Sequence, residues 1–118
     1  MNIGLFGLEG EEKAARYLKK QGYKIIGKNF QTRFGEIDII AENKEYIIFA
    51  EVKARSENSI AEPKEFVDLR KQRKIITTAE IYLSENPTEK QPRFDVVEVK
   101  KEKGKTIVNH IINAFEVE

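Results

Sequence analysis

Hydrophobic positions recur along this chain with two different periods, and each period predicts one kind of element. Near the start, apolar residues three and four apart predict an amphipathic helix over residues 5–21, with Gly22 as its stop signal. At about 100° per residue, Glu11 falls in the middle of the apolar stripe of this helix. The stripe consists of Leu8, Ala14, Ala15 and Leu18.

Strand patterns follow in three segments. Residues 23–26 are a short candidate, whereas 35–41 and 46–53 are much stronger ones. The segment 46–53 is apolar on both faces until its end, which is typical of a central strand that is covered on both sides. Residues 56–63 are polar and predict a loop.

The second half of the chain predicts one more helix and a hairpin. The helix runs from near Asp68, its candidate N-cap, to about Leu83, and Asn86-Pro87 ends it. Residues 94–99 and 106–112 then predict a hairpin. The order of helix, three strands, helix and two strands predicts an α/β fold with a central mixed β-sheet flanked by helices.

Length and composition narrow the class of protein. A chain of 118 residues has the common size of one domain, so we expect a single domain over residues 1–118. The absence of cysteine and the single His110 exclude disulfides, cysteine nucleophiles and sites that need two histidines. A metal ion would therefore be held by carboxylate and backbone oxygens, which favour Mg²⁺, Mn²⁺ or Ca²⁺.

The overall charge does not indicate a class of binding partner. Twenty-one Lys and Arg residues face 20 Asp and Glu residues, and a net charge of +1 is no general argument for nucleic-acid binding. No apolar run approaches the roughly 20 residues of a membrane helix, and the start of the chain lacks a secretory-signal pattern. We therefore expect a cytoplasmic protein without a membrane partner.

Strand alternation brings acidic residues together. Glu36 and Asp38 share a face of one predicted strand, and Glu51 and Lys53 share a face of the next. A two-residue turn at residues 43–44, or a four-residue loop at 42–45, would pair Asp38 with Phe49 and Glu36 with Glu51. Asp38 and Glu51 would then be diagonal neighbours on one face, whereas an odd-length loop would place them on opposite faces. Two such carboxylates favour a divalent ion between them, with Lys53 beside it to orient water or stabilise a phosphate.

These residues also resemble known sequences. Asp38 followed by Glu51-Val52-Lys53 resembles the D…(D/E)-x-K signature of the restriction-endonuclease-like superfamily. The whole chain resembles the YraN-like family of bacterial proteins, whose fold is similar to that of archaeal Holliday-junction resolvases. The matching stretches are Gly7-x-x-Gly10-Glu11 with Ala14-Ala15-x-x-Leu18, Gly35-Glu36-Ile37-Asp38-Ile39-Ile40, Phe49-Ala50-Glu51-Val52-Lys53-Ala54-Arg55, Lys71 with Ala79 and Tyr82-Leu83, and Arg93-Phe94-Asp95-Val96-Val97.

The resemblance implies a restriction-endonuclease-like sheet and a phosphodiester-cleaving site that uses Mg²⁺ or Mn²⁺. Asp38 and Glu51 would be metal ligands, joined by the backbone carbonyl of Val52, and Glu11 would complete the site from the first helix. Lys53 would be the catalytic lysine. The implied substrate is DNA, with branched DNA as one candidate, and a homodimer is expected by analogy alone.

Other polar residues allow two interpretations each. Glu36 is either an auxiliary carboxylate of the site or a solvated one. A basic cluster at the start of the second helix either contacts the DNA backbone or forms a solvated helix face. The residues predicted to bind nucleic acid are Arg55, Arg70, Lys71, Gln72 and Lys74. Gln72 is expected to face the site, and the alternative is a polar residue at the edge of the core.

Three further residues and one surface complete the sequence-based predictions. Asp95 is expected to be a structural partner for an arginine, His110 an ordinary strand residue, and Gly35 a position of close approach. Ile60, Phe66 and Val67 are candidate interface residues. The rival to a nuclease is a nucleic-acid-binding or protein-interaction module on the same fold, without turnover.

Overall fold

The predicted order of elements is confirmed. A computed structural model describes residues 5–55 and 67–117, with side chains from residue 8 onward, and the predicted loop at 56–63 lies outside these ranges, as do Ile60 and Phe66. The elements are α1 (Leu5–Lys20), β1 (Lys24–Thr32), β2 (Gly35–Glu42), β3 (Tyr46–Arg55), α2 (Leu69–Glu85), β4 (Gln91–Glu102) and β5 (Lys105–Phe115).

All five strands form one mixed sheet in the order β1-β2-β3-β4-β5. β3 and β4 are parallel, and the other neighbours are antiparallel. Because parallel strands need a crossover connection, α2 lies between β3 and β4 in the chain. β3 is the middle strand, as its apolar pattern predicted.

Each face of the sheet carries one helix and one part of the core. α1 packs on the first face, where Ala14 and Leu18 contact a cluster that includes Ile39 and Val97. α2 packs on the second face, and that cluster includes Ile75, Ala79, Ile37, Ile40, Phe49 and Phe94. Within the described residues, neither helix is long and apolar enough to cross a membrane.

Local hydrogen bonds fix the C-terminus of α1 and the N-terminus of α2. Gly22 has a φ of 95°, and the Tyr23 N–H donates to the carbonyl of Leu18 at 3.0 Å, which closes the C-terminus of α1. Asp68 caps α2 as predicted, because its Oδ1 accepts the Lys71 N–H at 2.9 Å. The prediction that Leu8 belongs to the buried stripe of α1 was wrong, because Leu8 lies near the start of the helix and is 50% exposed.

The strands are longer than predicted, most clearly β1, which continues past residue 26 to Thr32. β1 is an edge strand with many exposed positions, so its apolar signal is sparse. The prediction that Val67 is an interface residue was also wrong, because Val67 is 7% exposed and belongs to the core under α2.

The predicted register of β2 and β3 was wrong by two residues. Phe49 pairs with Ile40 rather than with Asp38. The turn comprises residues 44–45, because the Asn43 side chain accepts the N–H groups of Glu45 and Tyr46 at 3.0 and 2.8 Å. The loop length remains even, so Glu51 keeps the predicted face.

Candidate active site at a fork in the sheet

The sheet divides in two at the middle of β2 and β3. The paired residues of these strands end at Ile39 and Ala50. Beyond that point β2 continues to pair with β1, and β3 continues to pair with β4. We call this place the fork, and Asp38, Glu51 and Val52 are the residues at which the strands separate.

Asp38 forms the last link between the two strands. Its Oδ2 accepts the Val52 N–H at 2.8 Å, so a carboxylate replaces the missing backbone partner. In an extended strand the N–H and C=O of one residue point to the same neighbour, so the Val52 carbonyl is also directed toward β2.

The side-chain alternation of β2 breaks at Asp38. Ile37 packs in the cluster under α2 together with Ile40, whereas Ile39 packs under α1. Residues 37 and 39 would share a face in a regular strand. The prediction for Glu36 and Asp38 assumed a regular strand, and that regularity is broken at Asp38, where the strand turns over.

Asn29 sits at the matching position of β1 and was missed by the sequence analysis. Its neighbours pair on either side of Asp38, and its φ of 51° is in the left-handed region that Asn tolerates. With the amide oriented as its surroundings require, its nitrogen donates to Glu11 Oε1 at 3.0 Å and Glu36 Oε1 at 3.1 Å. Asn29 thus holds the carboxylates of Glu11 and Glu36 together. A polar residue in an edge strand is common, so the sequence alone did not indicate this role.

Glu51 is the buried acid of the fork. It is 7% exposed and faces α2, where Lys71 Nζ lies 2.6 Å from its Oε1. Lys53 Nζ lies 3.3 Å from the same oxygen. The carboxylate is therefore held by one lysine from its own strand and one from the helix above it.

The four carboxylates influence one another across the fork. Burial first, and then the charge of Glu51, raise the pKa of Asp38 to about 7, although the hydrogen bond from Val52 opposes this. Burial and then the charge of Glu36 raise the pKa of Glu11. Burial and then the neighbouring Lys71 lower the pKa of Lys53. The fork is a place where negative charge is concentrated and a further cation would be stabilised.

A cavity of about 470 Å³ opens from the fork toward α2. Three of the five residues predicted to bind nucleic acid line it, namely Arg70, Lys71 and Lys74, together with Gly35, Glu36, Asp38, Glu51, Asp68 and Ile75. A basic helix edge therefore faces the acidic fork across one cavity.

Gln72 does not face this cavity, so the prediction for it was wrong. Successive residues turn by about 100°, which places Gln72 roughly 160° around α2 from Lys74. Its amide donates to the Val67 carbonyl at 3.0 Å, and it lines a separate cavity with Leu69 and Val117. Arg55 ends β3 opposite Lys100 of β4.

Gly35 confirms the prediction of close approach. A Cβ atom built there would lie 3.2 Å from Thr78 Oγ1 and 3.3 Å from the Lys74 carbonyl oxygen. The glycine lets β2 pass directly beneath α2, which brings the wall of the cavity down to the fork.

Comparison with known proteins now identifies the family. The family model described as "Uncharacterised protein family UPF0102" matches residues 10–99, a range that includes every residue of the fork. The chain belongs to the UPF0102 family. The YraN-like resemblance is thereby confirmed.

Similar UPF0102 proteins match along almost their whole length. One from Caldanaerobacter subterraneus subsp. tengcongensis is 49% identical over 119 residues, covering 98% of each chain. One from Syntrophomonas wolfei is 46% identical over 110 residues, covering 92% of this chain and 96% of its own. One from Persephonella marina is 42% identical over 113 residues, covering 95% and 94%.

A second buried charged cluster of this UPF0102 chain is structural. Asp95 accepts hydrogen bonds from Arg93 Nε at 2.9 Å and Nη2 at 2.7 Å, as its predicted role requires. His110 lies in β5, as predicted, and its Nε2 lies 2.7 Å from Asp95 Oδ2, so it also belongs to this cluster. Although burial alone would raise the pKa of Asp95, these hydrogen bonds lower it.

The oxygen donors of the UPF0102 fork fit Mg²⁺ or Mn²⁺ with several water ligands, rather than an ion that is held by protein ligands alone. Among residues 5–55 and 67–117, no three Asp, Glu or His side chains are grouped closely enough to hold a metal ion by themselves. Mg²⁺ commonly uses only one or two carboxylates and keeps several waters. The carboxylates of Asp38 and Glu51 meet that smaller requirement, and the Val52 carbonyl, which is directed toward β2, is a further oxygen donor.

Proposed function

We propose that this chain is a metal-dependent nuclease with a restriction-endonuclease-like fold, which hydrolyses phosphodiester bonds in DNA. The observation that carries the proposal is the fork itself. It places Asp38, Glu51 and Lys53 at the point where two central strands separate, beside a cavity with a basic wall.

The acidic residues would bind the cofactor. Asp38, Glu51 and the Val52 carbonyl would hold Mg²⁺ or Mn²⁺, and Glu11 would join them from α1. The bound ion would polarise the phosphate and lower the pKa of a coordinated water. The raised pKa of Asp38 supports this assignment, because a carboxylate that is costly to ionise alone is stabilised by a cation.

Lys53 would act on the reacting phosphate. It follows Glu51 by two residues on the same face, and its Nζ lies 3.3 Å from Oε1 of Glu51, which lines the cavity. Lys53 would orient the attacking water and stabilise the charge that develops on phosphate oxygens.

The basic wall would bind the substrate backbone. Arg70, Lys71 and Lys74 line the same cavity as Asp38 and Glu51, where they would contact the phosphates of a bound strand. The chain has a net charge of only +1, so this local cluster rather than the whole surface would direct DNA binding. Branched DNA and a homodimer remain proposals by analogy with resolvases.

A second candidate is a nucleic-acid-binding or protein-interaction module without turnover. The absence of a three-carboxylate group within the described residues favours it, as does the neutralisation of Glu51 by two lysines. It predicts that Lys53→Met leaves the function intact.

Cleavage of labelled single-stranded, duplex and four-way-junction DNA, and of RNA, tests the proposal. Each substrate is incubated with Mg²⁺, Mn²⁺ or EDTA. Wild type is compared with Asp38→Asn and Lys53→Met, and the matched controls are Glu42→Gln and Lys90→Met. Glu42 and Lys90 form an ion pair of 3.0 Å at the far end of β2, so they match the removed charges without touching the fork.

The proposal expects cutting that needs metal, that both fork variants lose and that both controls keep. Equal cutting by Asp38→Asn would point to a contaminating nuclease and contradict it. Nucleic-acid binding without cutting in any condition would favour the binding module.

A further inference from the structure

Two ammonium groups converge on a single oxygen of Glu51. Lys71 Nζ lies 2.6 Å from Glu51 Oε1, and Lys53 Nζ lies 3.3 Å from the same atom. Because Glu51 is almost fully buried, water contributes little to stabilising its charge, and the carboxylate depends on these lysines. The shorter contact comes from α2 rather than from the strand.

We propose that Lys71 is an exchangeable counter-ion, which holds Glu51 until a divalent cation binds and then transfers to a phosphate oxygen of the nucleic acid. This inference rests on the proposed function, because it needs both ligands at the fork. It adds that the two ligands are coupled through one side chain.

Lys71 and a divalent cation would both be attracted to the carboxylate of Glu51. A Mg²⁺ ion lies about 2.0–2.1 Å from a carboxylate oxygen. An ion on Glu51 would therefore stand within a few ångströms of an ammonium group that is still 2.6 Å from Oε1. Repulsion between charges of +2 and +1 at that distance is large compared with thermal energy, so the ammonium must withdraw.

Lys71 is the lysine that can withdraw. Its side chain is 41% exposed, compared with 25% for Lys53, and it extends from a helix at the wall of the cavity. Lys53 is anchored on the same strand as Glu51. Rotation of the Lys71 side chain away from Glu51 carries its ammonium into the cavity that Arg70 and Lys74 also line.

This exchange makes metal and phosphate binding mutually dependent. Without a phosphate, the displaced Lys71 loses its partner, and this loss weakens metal binding. With a phosphate present, Lys71 gains a new partner as it leaves Glu51. A bound nucleic acid should therefore strengthen cation binding. By thermodynamic linkage, the cation must strengthen nucleic-acid binding by the same factor.

The first test measures Mn²⁺ affinity of the protein alone by calorimetry. Lys71→Met keeps the length of the side chain and removes its charge, so it should bind Mn²⁺ about tenfold more tightly than wild type, within the 5- to 150-fold range of typical coupling. Lys71→Arg should stay within about threefold of wild type. Lys90→Met, whose partner Glu42 lies at the far end of β2, is the control for a lost positive charge.

The second test measures the affinity for a fluorescent DNA duplex by anisotropy, with Ca²⁺ or with EDTA. Wild type should bind the duplex about tenfold more tightly with Ca²⁺, and Lys71→Met should lose most of this difference. Because Lys53 still holds Glu51, we expect Lys71→Met to fold, and circular dichroism verifies it.

Unchanged or weaker Mn²⁺ binding by Lys71→Met would overturn the exchange while leaving the nuclease proposal intact. Asp38→Asn separates the two ideas. If it binds Mn²⁺ as tightly as wild type, no cation site exists at the fork, and the proposed function fails together with the exchange.

Discussion

Replacing Asp38 by asparagine should stabilise the protein when no divalent ion is present. Most substitutions of partly buried residues destabilise a fold, so the direction is informative. Asparagine has nearly the same shape and retains an oxygen that can accept the Val52 N–H. What it removes is a negative charge that faces Glu51 and lies near Glu11 and Glu36.

The expected size follows from the pKa of Asp38. Folding raises this pKa from its ordinary value of 3.8 to about 7, through burial and then the charge of Glu51. Between these values the folded chain keeps a proton that the unfolded chain releases, so stability falls as pH rises and stays low above pH 7. A difference of about three between the two pKa values corresponds to at most about 4 kcal/mol. Because hydration and local relaxation reduce this limit, we expect Asp38→Asn to gain about 2 kcal/mol at pH 8 and little at pH 4.

Urea unfolding in EDTA across this pH range, followed by circular dichroism, measures the effect. Glu42→Gln is the control, because it removes a carboxylate from a partly exposed ion pair and should change stability by less than about 1 kcal/mol. Added Mg²⁺ should stabilise wild type and reduce the advantage of Asp38→Asn. Equal or lower stability of Asp38→Asn at pH 8 in EDTA would refute the electrostatic account of the fork.

Three other substitutions test separate parts of the structure. Asp95→Asn leaves Arg93 buried with a weakened partner, so thermal unfolding should show a loss of about 3 kcal/mol, and a loss below about 1 would contradict the structural role. Gly35→Ala places a methyl group 3.3 Å from the Lys74 carbonyl and should cost about 1 kcal/mol or more, whereas no change in the urea midpoint would show that the approach is looser. Lys74→Ala should weaken DNA binding in anisotropy and reduce the slope of log affinity against log salt concentration by about one, whereas Gln72→Ala should change neither. Equal effects of the two substitutions would place the DNA elsewhere.

The sequence predicted the features of this fold that depend on local periodicity. The order of elements, the central position of β3 and the Asp68 cap each depend on a few neighbouring residues. It also placed Glu51 and Lys53 on one face, because β3 is regular and buried on both sides.

The parts that the sequence did not predict depend on contacts between distant segments. The β2–β3 register follows from the Asn43 side chain, which closes a turn one residue later than expected. The fork follows from the left-handed backbone of Asn29 and the broken alternation at Asp38. Periodicity assumes regular strands, so it cannot detect a position where a strand turns over. The ion pair of Lys71 with Glu51 likewise needs the position of α2 over β3.

The proposed function requires that the fork binds a divalent cation between Asp38 and Glu51. Anomalous diffraction from crystals soaked in Mn²⁺ tests it most directly. We expect one strong peak about 2.0–2.3 Å from oxygens of both carboxylates, with the Lys71 ammonium withdrawn from Glu51 into the cavity. A peak elsewhere, or no peak while Lys71 still contacts Glu51 in the soaked crystal, would contradict it.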